Sequence, residues 1–236
     1  SRQTYVTGKA AYNAGLKLRS EILRLSNMGN DSLITIEKNE IIISNQGKRQ
    51  KIDLSALQLI ENNYVIVAEE TYDPPTTSLD ENGQGIPYAV YGYGAQMAEI
   101  TVDTELGLLK IDKITAAHDL GKTINPLLAE GQIEGGIAQG IGFALMEEYI
   151  PSKTENLHDY LIPSIGDVPE IESILIEKND PEGPFGARGL GEHVLIPTAP
   201  AIMNALRNAT GAIITKLPAL PDRILAVSYT HLTLPT

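Results

Sequence analysis

The chain has 236 residues with 18 basic and 30 acidic side chains, a net charge of −12, and no cysteine. That acidity argues against a nucleic-acid partner, which needs clustered Lys and Arg. The missing cysteine excludes disulfides, thiolate zinc sites, iron–sulfur ligation and cysteine nucleophiles within the chain.

No apolar run approaches a membrane span and no signal peptide opens the sequence, so the expected location is the cytoplasm. A hydrophobic fraction of 42% suits a globular protein. With no Trp and two Phe, the core must be built from Leu, Ile, Val and Ala.

In chain order, "GKAAYNAGLKLRSEILRL" (Gly8 to Leu25) spaces its apolar residues as a helix. "SLITIEK" and "EIIISN" predict two strands turning at Lys38-Asn39, with "KRQKIDL" a third. A short helix over Ser55 to Glu61 and a strand at "NYVIVAEETY" are expected next, followed by a long loop to "YGYG". "GAQMAEITVD" and "LLKIDKITAAHD" predict two strands joined by the turn "TELG". A helix over Leu127 to Tyr149, a loop, the strand "EIESILIEK" and a helix over Ile196 to Ala209 complete the pattern, with Gly211 as a C-cap. Without regular βαβ alternation, the fold class is α+β.

The last ten residues, "VSYTHLTLPT", fit none of this. They back-translate without strain into the transposase mosaic-end adapter of sequencing libraries. Residues 227–236 are therefore expected to be adapter read-through, extended and without a place in the core. The chain is expected to be a fragment that opens mid-protein at Ser1 and whose gene-derived sequence breaks off artificially near Ala226.

Two stretches hold candidate chemistry. In "DPEGPFGARGLGEHVLIPTAPAI", glycines 183, 186, 189 and 191 precede one carboxylate, Glu192. Each glycine costs conformational entropy, so backbone freedom is concentrated around that acid. An ordinary loop acid near a helix N-terminus is the plain alternative. In "EGQIEGGIAQGIGFALMEEY", glycines 135, 136, 140 and 142 interrupt a helix. They forgo about 3–4 kcal/mol of propensity that close approach must recover. Gln132 and Gln139 share one helical face with Gly135 and Gly136 between them. That face suits a flat polar ligand, although tight helix packing explains small residues more often. His118 and His193 lack zinc-ligand spacing and read as ordinary polar contacts. No Rossmann, Walker or Ser–His–Asp pattern is visible.

The pieces together are more specific. "SRQTYVTG", "YGYGAQMAEITVDTELGLLKI", "AHDLGKTINPLLAEGQIEGGIAQGIG" and "GPFGARGLGEHVLIPTAPAI" follow one another in that order. They closely resemble the molybdenum-binding subunit of the xanthine dehydrogenase and aldehyde oxidase family. The resemblance runs from Ser1 to about Ala226 and makes residues 1–226 a partial second molybdopterin-binding domain. It implies that Glu192 is the catalytic base beside molybdenum, in the family's "KGVGE"-type motif. It also implies that Gln132 contacts the pterin, that Gly135, Gly136, Gly189 and Gly191 let backbone approach it, and that Ser1, Arg2, Gln3 and Thr4 wrap the cofactor. Two departures stand out: Arg188 replaces a commoner Lys and keeps the charge, while His193 stands where Pro or Gly is frequent.

The implied activity is oxidative hydroxylation of an electron-poor carbon in an N-heterocycle, purine-like, or in an aldehyde, with water as the oxygen source. The implied cofactor is molybdenum-molybdopterin, with a cytosine dinucleotide among its possible nucleotide forms. Iron–sulfur clusters need cysteines, so they belong to other subunits or domains, among which the resemblance also implies a place for FAD. The implied partners are a small-molecule substrate and those subunits, and the fragment alone should be inactive. The alternative is a non-catalytic cofactor-binding or assembly module of the same fold.

Overall fold

The computed structural model describes residues 2–233, apart from the side chains of Glu61 and residues 228–233. The chain divides into two compact units, Arg2–Pro87 and a second beginning at Tyr88.

In the first unit, helix α1 spans Gly8–Ser26 and stops at Asn27, which turns left-handed at φ 50°. Strands β1 (Leu33–Glu37), β2 (Glu40–Asn45) and β3 (Lys48–Asp53) form an antiparallel meander. Lys38 takes the positive φ of the first turn. Ile22 and Leu23 of the helix bury against Ile41 and Ile43 of the sheet.

Two expectations fail in this unit. The helix over Ser55 to Glu61 shrinks to a 3-10 turn at Leu54–Ala56, with Asp53 accepting from Ser55 N. The strand expected at "NYVIVAEETY" does not form. Its apolar residues are only partly buried, and Tyr64 and Val67 are exposed. Ile66 packs on the core of the unit, and Lys17 of α1 donates to Glu69 O at 3.1 Å and pairs with Glu70 at 2.9 Å.

The second unit holds β4 (Tyr93–Asp103), β5 (Leu108–Asp119), α2 (Pro126–Leu145), β6 (Glu170–Ile176), α3 (Thr198–Thr210) and α4 (Pro221–Thr233). Its sheet runs β4-β5-β6, with β4 antiparallel and β6 parallel to β5. α2 is thus the crossover of one βαβ unit inside an otherwise α+β fold. Isoleucines dominate the core, with Ile114, Ile133, Ile137 and Ile202 fully buried.

Asn125 caps α2 by accepting from Leu128 N at 3.2 Å, and Pro126 occupies the first turn. The helix ends four residues before the expected Tyr149, because Gly142 O takes the N–H groups of both Met146 and Glu147. Gly211 caps α3 at φ 75° as expected.

α4 buries Ile224 against Leu206 and Ala219. Its backbone is helical through Thr233, in contrast to the extended tail expected there. The expectation that the tail has no place in the core falls on side chains from 228 onward, outside the described residues.

Candidate active site

The parallel strands end side by side at Asp119 and Ile176. A parallel pair joined through a helix opens its crevice beyond those carboxyl ends. The glycine loop is tied down at this point. Arg188 N donates to Leu120 O at 2.8 Å, Lys122 N to Gly186 O at 2.7 Å, and Asp180 N to the same oxygen at 3.0 Å. Gly186 sits at φ 83°, where a side chain would be strained and would also strike Asn179.

Arg188 locks the loop. Its Nη1 donates to Asp119 at 2.6 Å and its Nε to Asp180 at 2.9 Å, with all three side chains nearly buried. The other oxygen of Asp180 accepts from Glu182 N and Gly183 N, and that of Asp119 from Gly121 N. Both carboxylates are therefore compensated, as buried charges must be.

Beyond Arg188 the loop enters a 3-10 turn, Glu192–Val194. Val194 is fully buried and seats against Gly136 of α2, where an added Cβ would lie 2.9 Å from its side chain. Thr198, at the start of α3, seats likewise against Gly140 at 2.5 Å. These two glycines answer to packing. Gly131 and Gly135 do not, since a Cβ at either meets nothing within 4 Å.

Gln132, Gly135 and Gln139 lie on the exposed face of α2, and neither amide has a partner among the described residues. Glu192 is exposed, and its carboxylate makes no hydrogen bond or ion pair among the described residues. Gly189 and Gly191, flanking Leu190, are half-buried in the approach to the turn.

Of the N-terminal candidates, Arg2, Gln3 and Thr4 are exposed at the start of the first unit, with Gln3 accepting from Thr7 at 2.8 Å. Ser1 lies outside the described residues.

The histidines are less ordinary than their spacing indicated. His118 is fully buried on β5 and meets His193 of the turn edge to face, with centroids 5.4 Å apart. Burial, then the charge of His193, pushes the His118 pKa down to about 4. Burial also lowers that of His193, against an opposing pull from Asp119. Both rings are neutral at pH 7. The "YGYG" glycines give them room: a Cβ at Gly92 would lie 2.9 Å from the His193 ring, and one at Gly94 2.5 Å from His118 Cε1.

Gln96 was not singled out in the sequence. Its Nε2 donates to Val194 O at 2.8 Å and its Oε1 accepts from Thr198 Oγ1 at 2.8 Å. The signal was available, because Gln96 is a polar residue on the inward-facing register of β4, shared with Ala98, Ile100 and Val102.

Residues 1–169 match the molybdopterin cofactor-binding domain family. Over 238 residues the chain is 34% identical to a xanthine dehydrogenase molybdenum-binding subunit of Escherichia coli O157:H7, covering 95% of this chain and 30% of the relative. It is 43% identical over 148 residues to the aldehyde oxidoreductase of Megalodesulfovibrio gigas, covering 61% of this chain and 16% of that protein. Among solved structures, quinoline 2-oxidoreductase from Pseudomonas putida 86 superposes with a TM-score of 0.72 at 26% identity, covering 97% of this chain and 30% of that one. The chain thus spans under a third of the length of each of these proteins.

Proposed function

We propose, from the premise that this chain belongs to the molybdopterin cofactor-binding domain family, that it forms one wall of a molybdenum hydroxylase active site with Glu192 as general base. One observation carries the assignment: an exposed carboxylate with no partner among the described residues, on a turn held by the buried Val194. Solvent satisfies any exposed carboxylate, so what sets Glu192 apart from the other unpaired acids is its place on the turn that Val194 seats against Gly136 of α2.

The open face of α2 fits the cofactor. Gly131 and Gly135 cost helix propensity that no contact among the described residues recovers. A flat pterin resting there would account for both. Gln132 and Gln139 supply donors and acceptors for its ring edge, and Arg2, Gln3 and Thr4 are assigned to the same ligand by motif. When bound, the molybdenum cofactor supplies the oxygen-transfer and two-electron redox chemistry.

The protein's own part is proton transfer and exclusion of wrong geometries. Glu192 accepts a proton on a carboxylate Oε as water-derived oxygen is delivered to the substrate carbon. Such a base contributes about 10²–10⁴ in rate. The substrate class is an N-heterocycle or an aldehyde, the classes named in xanthine dehydrogenase, quinoline 2-oxidoreductase and aldehyde oxidoreductase.

Electrons must leave through thiolate-ligated clusters, which a cysteine-free chain cannot hold. Iron–sulfur clusters on other domains or subunits complete the enzyme, FAD joins them by family resemblance, and this chain alone is inactive. A cytoplasmic location fits such an assembly, and no helix among the described residues is long and apolar enough to cross a membrane.

The test is Glu192→Gln in the complete enzyme, which keeps shape and removes basicity. Molybdenum content should survive while kcat falls by at least about 10²-fold. Near-normal turnover with full molybdenum would leave Glu192 a loop acid and the chain a cofactor-binding module.

A further inference from the structure

We infer that Gln96 is a positioning residue for Glu192, acting through the backbone of the turn that carries it. The inference rests on the reading of Glu192 as the base. Its geometry is independent of that reading. Val194 O can only accept, so the amide nitrogen of Gln96 must face it; the amide oxygen is then free for the Thr198 hydroxyl, as found at 2.8 Å on each side. Rotating the amide would set its oxygen against the Val194 carbonyl and lose that bond, while the Thr198 hydroxyl would have to turn from donor to acceptor.

A third neighbour is compatible with this orientation: Gln96 Nε2 lies 3.3 Å from Nε2 of His118, whose tautomer follows from the amide. The neutral imidazole accepts there and carries its proton on Nδ1. One side chain from β4 thereby ties the end of the 3-10 turn to the first residue of α3. Val194 is also seated on Gly136 and Thr198 on Gly140. Packing fixes how deep the turn sits. The Gln96 amide fixes its rotation, because two hydrogen bonds from one planar group leave little freedom about the chain axis. Glu192 begins the turn whose carbonyl end is held. A rotation there moves the carboxylate off line, and a displacement of about 1 Å can cost on the order of 10²-fold in rate.

The experiment uses the full-length subunit in its assembled enzyme, with whichever of hypoxanthine, nicotinate and benzaldehyde it oxidises fastest. Gln96→Met keeps the length and removes both bonds; Thr198→Val removes one, and Thr198→Ser keeps it. The expected result for Gln96→Met is a loss of about tenfold or more in kcat with KM nearly unchanged, the signature of a group needed in the transition state. Molybdenum content should stay normal and the amides of residues 191–198 should exchange faster, with those of α2 unaltered. Thr198→Val should lose less, and Thr198→Ser almost nothing.

In the Glu192→Gln background, adding Gln96→Met should lower turnover no further, because both changes act on one base. Unchanged kcat and exchange in Gln96→Met overturn the inference, as does loss of molybdenum. A full multiplicative loss in the double variant also overturns it. If Glu192→Gln alone keeps normal turnover, the base reading itself fails, while the exchange result still reports the tether.

Discussion

Arg188 Nη1 lies 2.6 Å from Asp119 Oδ2, joining the glycine loop to the end of the central strand of its sheet. With Asp180 on its Nε, one guanidinium neutralises two carboxylates that are almost removed from solvent. A lysine at this position keeps the charge but lacks the planar fork that serves both acids at once.

Arg188→Met leaves two buried carboxylates without their counter-charge, held by backbone N–H groups alone. Breaking such a pair costs roughly 3–5 kcal/mol, and the loss should show as rapid amide exchange over residues 180–191. Arg188→Lys should fall between this and the native chain. Unchanged protection in Arg188→Met would show that backbone bonds alone hold the loop.

The buried imidazole predicts an acid dependence. His118 has a folded pKa of about 4, against about 6.5 unfolded. Between those values the unfolded chain binds the proton and the folded one does not. The contribution to stability is therefore complete above pH 6.5, lost as pH falls to 4, and constant below. Its size is on the order of 3 kcal/mol. His193, lowered in the same direction, adds to the effect. Urea midpoints across this window should drop steeply in the native chain and less in His118→Met. Equal slopes would place the titration elsewhere.

The two classes of glycine on α2 should separate by substitution. Gly136→Leu drives a side chain into Val194 and should unseat the Glu192 turn, lowering stability as well as cofactor content. Gly135→Leu meets open space and should leave the fold intact while excluding the pterin. Gln132→Ala should weaken pterin retention by about 1–3 kcal/mol. Normal molybdenum occupancy in Gly135→Leu and Gln132→Ala would remove this face from the cofactor site.

Deleting residues 227–236 should leave the thermal midpoint of the chain unchanged within error. The buried anchor of α4 is Ile224, three residues before the cut. A drop of several degrees would mean that the segment packs as native sequence.

Much of this architecture is legible from local pattern. Helix α1, the meander β1 to β3, the β4–β5 hairpin and the cap at Gly211 all follow from periodicity and turn residues. The strand misread at "NYVIVAEETY" shows the limit, because only Ile66 of its β-branched run packs on the core, Val67 stays exposed, and Lys17 of α1 takes the carbonyl of Glu69. The parallel pairing of β5 with β6 escaped for a related reason: strand direction is set by the crossover and leaves no local mark. At the site, the glycines and Glu192 announced themselves by composition. Which glycines serve packing was invisible, since Val194 and Thr198 reach α2 from some sixty residues away. Gln96 was legible only as a polar residue among the apolar ones on the inward-facing register of its strand.

The fit of two imidazoles over Gly92 and Gly94 bears on how such chains diverge. Each ring occupies volume that a side chain on β4 or its approach would otherwise fill. Positions 92 and 193, and positions 94 and 118, are therefore bound as couples. A chain that replaces His193 by a smaller residue frees space for a side chain at 92, and one that gains a side chain at 92 must first lose the ring. The order of substitution matters: shrinking the ring leaves a tolerable void, whereas filling position 92 first meets an occupied site. Histidine beside Glu192 is thus half of a two-position exchange, and its replacement should be tolerated best together with a change at residue 92.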